Sequence, residues 1–68
     1  MKTINGVSVV RVSRPFSSSA SAGWACCDGD GVVRVWSSLA GHFTTCHSLT
    51  AGQERSVRAR IPRDKRMA

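Results

Sequence analysis

The first apolar positions, Ile4, Val7, Val9, Val10 and Val12, alternate with polar residues at a period of two that breaks at the doubled Val9-Val10. β-Branched residues at that spacing predict a strand over 4–13, closed by Pro15. The break marks a bulge or a strand covered on both faces. Asn5-Gly6 reads as a tight turn returning a very short first strand, or as a kink. The small residues of Ser17–Gly23 then supply no anchoring side chain, and a mobile serine-rich loop is expected over 16–23.

Two further apolar runs, Trp24-Ala25-Cys26-Cys27 and Val32-Val33-Arg34-Val35-Trp36, flank Asp28-Gly29-Asp30-Gly31. Paired Asp-Gly steps between apolar runs predict a hairpin, because both residue types tolerate the positive φ values of tight turns. Its second strand sends Val33 and Val35 to one face and Val32, Arg34 and Trp36 to the other. Trp24 and Trp36 then become cross-strand neighbours. Ser37–Gly41 reads as another hairpin connection, leading to a strand over 42–47 with Phe43, Thr45 and His47 on one face.

From Leu49 onward the period changes. Leu49, Gln53, Val57 and Ile61 recur every four residues, a narrow stripe suited to lying on a sheet. Thr50 is the expected N-cap, Gln53 completes a capping box and Pro62 supplies the stop. Gly52 weakens the first turn by about 1 kcal/mol relative to alanine, so this helix depends on docking. The expected fold class is α+β: a small antiparallel sheet of three to four strands with one C-terminal helix packed on it. Residues 1–61 form one domain and 62–68 a basic tail.

Length tightens that picture. A 68-residue chain has room for one domain, and burying only about 60% of its unfolded surface leaves a marginal core. Trp24, Trp36, Phe16 and Phe43, with the valines, are expected to supply most of it. The exposed edges of the valine strands make a homodimer a further expectation.

Charge points to partners. A formal net charge of +6 and a pI near 10.7 suit phosphate, an acidic protein face or an anionic lipid surface. No apolar run approaches the roughly 18 residues of a membrane span, and Lys2, Asn5, Ser8 and Arg11 interrupt any secretory apolar core. Three cysteines, two of them adjacent, do not make a disulfide framework, so a reducing, cytoplasmic setting is expected.

Candidate chemistry is sparse. Cys26, Cys27, His42, Cys46 and His47 are ligand types for zinc. Cys26 and Cys27 on a strand point to opposite faces, however, and His42 and Cys46 on an extended strand stand about 13 Å apart. Neither a metal nor a cofactor is assigned. Asp28 and Asp30 begin like a calcium loop, yet Leu39 stands where its glutamate belongs, so both are read as turn residues. A cysteine nucleophile needs a base, an orienting group and a pocket, and no enzymatic activity is expected.

The strongest partner signal is basic. Six of the ten basic residues (Arg55, Arg58, Arg60, Arg63, Lys65 and Arg66) follow Leu49, and Arg34 joins them as a candidate contact. Guanidinium groups bridge phosphate oxygens bidentately, so nucleic acid or a ribonucleoprotein is the expected partner. Arg34 and Trp36, sharing a strand face, are also placed to stack a base, although burial of the tryptophan in the core is the commoner outcome.

Two resemblances bear on this. Asp30–Trp36 resembles the closing strand of a WD40 repeat, but Ser37 replaces the aspartate and no second copy follows, which excludes a propeller. In size and single-domain make-up the chain resembles phage-encoded inhibitors of host defence, anti-CRISPR proteins among them. That likeness implies a viral protein inhibitor bound to an acidic surface of a larger nucleic-acid-processing complex.

Overall fold

Asp28 organises the hairpin at the centre of the sheet. The computed structural model describes residues 1–13, 22–45 and 49–67. Within it β4 (Gly23–Cys27) and β5 (Val33–Ser37) pair antiparallel, with Ala25 opposite Val35 and Cys27 opposite Val33. Asp28 Oδ1 accepts from the amides of Asp30 at 2.9 Å and Val32 at 3.0 Å. Gly31 turns the backbone at φ 86°, a conformation that favours glycine.

The remaining strands add on either side. β3 (Val10–Val12) pairs with β4, and β6 (His42–Thr45) pairs with β5, giving an antiparallel sheet in the order β3-β4-β5-β6. A separate two-stranded hairpin, β1 (Thr3–Ile4) and β2 (Val7–Ser8), turns at Asn5 and Gly6, whose φ values are 52° and 78°. The Asn-Gly pair is therefore a turn and not a kink. Val9 leaves the ladder between β2 and β3; Val9 and Val10 are both buried, but only Val10 belongs to the core cluster under the helix.

Helix α1 (Ala51–Arg60) begins and ends where its punctuation lies. Thr50 Oγ1 accepts from the Gln53 amide at 3.1 Å, and Gln53 Oε1 accepts from the Thr50 amide at 2.9 Å, which satisfies two otherwise orphaned donors. The helix lies on one face of the sheet. Leu49, Val57 and Ile61 meet Val10, Val12, Ala25, Cys27, Val33 and Val35 in one cluster. Gln53, the polar member of the stripe, donates from Nε2 to the Ser13 carbonyl at 2.9 Å.

Among the described residues that cluster contains no aromatic ring, against the expectation that tryptophans and phenylalanines fill the core. Trp24, Trp36 and Phe43 are half-buried on the opposite face of the sheet, and Phe16 lies outside the described residues. The reason is parity: Ala25, Cys27, Val33 and Val35 face the helix, so positions 24 and 36 must face away.

After Pro62 the backbone makes a short 3-10 turn (Arg63–Lys65) and doubles back. Met67 donates to the Cys27 carbonyl at 2.9 Å, and its own carbonyl accepts from the Gly29 amide at 3.1 Å. Thus the end of the basic segment is docked against β4. The fold is the small antiparallel sheet with one C-terminal helix that the sequence predicts, enlarged by the N-terminal hairpin. No helix among the described residues is long and apolar enough to cross a membrane.

Candidate functional site

A guanidinium whose donors are spent inside the molecule cannot offer them to a partner, so the acceptors around each basic group sort the candidates. Arg34 Nη1 sits 2.7 Å from Asp28 Oδ2, on the sheet face away from the helix. This contact, together with the amide bonds from Val32 and Asp30, holds the Asp28 carboxyl below its ordinary range. Arg34 is committed to the turn.

Arg58 leans to the same end of the molecule. Its Nη1 donates to the Gly31 carbonyl at 3.4 Å, and the same nitrogen lies 3.9 Å from the carboxylate of Glu54 one turn earlier. Arg66 bends back over the end of the helix, where its guanidinium donates to the carbonyls of Ile61 at 3.3 Å and Arg58 at 3.0 Å. The last carbonyls of a helix lack partners within it, so the Arg66 guanidinium caps α1.

The other members separate from these three. Arg60, one helical flank away, donates from Nη1 to the Arg11 carbonyl at 3.2 Å beside edge strand β3. One of its five donors is used there. Arg55, Arg63 and Lys65 are exposed and, among the described residues, make no internal hydrogen bond or ion pair. By exposure the seven candidates form two groups: Arg34, Arg58 and Arg66, half-buried around the β4–β5 turn and the end of α1, and Arg55, Arg60, Arg63 and Lys65, exposed to solvent.

The sheet face away from the helix contributes residues outside those seven. Arg11 lies opposite Trp24, and Trp36 lies opposite Phe43. Continuing the β4–β5 register by one residue aligns Trp24 with Trp36, so a single row crosses all four strands. Trp36 and Phe43 meet edge to face with ring centroids 5.1 Å apart. Lys2 Nζ stands 5.0 Å and Arg11 Cζ 5.1 Å from the centre of the Trp24 ring. Each such contact is worth about 0.5–1 kcal/mol at an exposed site.

Beside that row, a cleft of about 440 Å³ opens along β3, bordered by Lys2, Arg11, Trp24 and Arg60 over Val9 and Val10. Arg11 could be placed on the Trp24 face only from the β3–β4 register, and the long connection between those strands conceals the register in the sequence. Lys2 reaches the site because Val9 donates to its carbonyl at 2.9 Å and draws the N-terminal hairpin alongside.

The candidate metal ligands do not assemble among the described residues. Cys26 and Cys27 are buried on opposite faces, and His42 is exposed with Nδ1 2.9 Å from the Phe43 carbonyl. No three histidine, cysteine or acidic groups converge there, while Cys46 and His47 lie outside the described residues. Burial raises both thiols, Cys26 to about 11 from an ordinary 9.0, so near neutral pH they stay protonated and poorly nucleophilic.

No family model matches this protein, and no curated protein or solved structure gives a match.

Proposed function

We propose that the protein is a small, non-enzymatic basic module that binds nucleic acid, free or within a ribonucleoprotein, through its phosphates. The contact surface is the outer side of α1 and the turn that follows it. One observation carries the reading: Arg55, Arg63 and Lys65 point outward with every donor available, among the described residues. Two of the four carboxylates, Asp28 and Glu54, are already engaged by Arg34 and Arg58. What is left over is a net positive charge, eight basic residues against Asp30 and Asp64, in search of an external anion. The buried, protonated thiols support the non-enzymatic part of the reading.

Phosphate neutralisation releases counterions, so affinity falls with salt in proportion to the number of contacts. In a gel-shift series at rising salt, Arg55→Ala lowers the slope by about one and weakens binding evenly across sequences. Binding that ignores salt, or no binding to DNA or RNA at low salt, removes the proposal.

A further inference from the structure

We propose that the cleft along β3 is a subsite for one unpaired nucleotide of a single strand, with its base on the Trp24 indole and its phosphate among Lys2, Arg11 and Arg60. The inference rests on the nucleic-acid reading above and assigns it a second, separate contact on the sheet edge. Three features support it together.

The first is charge. Three cations border the cleft, its remaining walls are Met1, Val9, Val10 and the indole, and no carboxylate lines it among the described residues. Arg60 spends one donor on the Arg11 carbonyl, which fixes its stem and leaves the rest of its fork for an oxygen. The second is shape: the hollow, about 440 Å³, is shallow and open along the strand edge, which suits one base of a strand laid across it.

The third is competition for the ring. Lys2 and Arg11 now stand about 5 Å from the centre of Trp24, where an exposed cation contributes about 2- to 5-fold in affinity terms. A stacked base contributes about 5- to 150-fold. A stacked base outweighs either cation contact taken singly, and a cation displaced from the ring turns to the phosphate that arrives with the base. Only a single strand can supply such a base, because duplex bases present their faces to one another. Trp36, aligned with Trp24 on the adjacent strand, packs on Phe43 and does not line the cleft.

The test follows tryptophan emission during titration with a short oligothymidylate and with a duplex of equal length. Wild type, Trp24→Phe and Trp36→Phe are compared, alongside Trp24→Ala and Lys2→Gln in a binding assay. The expected result is quenching by the single strand that survives in Trp36→Phe and disappears in Trp24→Phe. Trp24→Ala weakens single-strand binding by about 5- to 150-fold and leaves duplex binding unchanged. If wild type binds nucleic acid but Trp24 emission does not move, or the duplex binds as tightly as the single strand, the subsite is overturned and the helix reading stands. If wild type binds neither, both fall. Should Trp24→Ala fail to fold, the comparison of the two phenylalanine variants still decides.

Discussion

Arginines at the two ends of this sheet do different work. Around the β4–β5 turn, Arg34, Arg58 and Arg66 are matched to Asp28, to the Gly31 carbonyl and to the last carbonyls of α1. Along β3, Lys2, Arg11 and Arg60 surround an indole and an open cleft with no carboxylate among its described walls. One region half-buries its cations against a carboxylate and backbone carbonyls, and the other leaves its cations exposed, with Arg60 alone bonded to a carbonyl. Net charge alone does not separate these roles; the inventory of nearby acceptors does.

If the turn region is structural, its variants should cost stability. Arg66→Ala leaves carbonyls at the helix end without a donor, a loss of about 1–3 kcal/mol. Thermal unfolding reads this at about 4–8 °C per kcal/mol for a domain of this size. Arg60→Gln, its counterpart on the β3 side, stays within about 0.5 kcal/mol of wild type, as surface substitutions usually do. Equal losses for the two variants would dissolve the distinction.

Gly31→Ala probes the same turn at a smaller expected cost. A Cβ there meets Arg58 Cδ at 3.3 Å, and the residue must keep φ 86°. A left-handed conformation costs a non-glycine residue about 1–2 kcal/mol. Chemical denaturation should show a lower midpoint with an unchanged slope.

The ion pair at the turn also sets a pH dependence. Because the folded-state pKa of Asp28 is depressed, the stability it contributes is present above the ordinary value of 3.8 and is lost as pH falls below it. Asp28→Asn should flatten that acid limb while keeping the Oδ1 acceptor for the turn. At the alkaline end the buried thiols act in the opposite sense. Their raised values mean that stability present below pH 9.0 declines above it, the Cys26 contribution being lost as pH rises through about 11. Circular dichroism melts across pH check both limbs.

Much of the scaffold is legible in the sequence, and most of the site is not. Thr50, Gln53 and Pro62 bound α1 because capping is a local interaction of residues three positions apart. The Asp-Gly steps and Asn5-Gly6 mark turns for the same local reason. Strand parity even separates Val33 and Val35 from Arg34 and Trp36. The sharing of a face by tryptophan and arginine is the sign in the sequence that this face is only half-covered, and the expectation of an aromatic core runs against it. Nothing local shows that Arg66 caps the helix or that Met67 docks on Cys27 and Gly29. Those contacts, like the meeting of Lys2 with Trp24, depend on how distant segments pack.

The most direct test of two unlike arginine regions is a heteronuclear NMR titration of the intact protein with a short single strand. The account predicts shifts concentrated at the Trp24 indole N–H, the Lys2 and Arg11 amides and the outer side of α1, with the Gly29 and Gly31 amides unmoved. Shifts centred on the β4–β5 turn, with Trp24 silent, would contradict it.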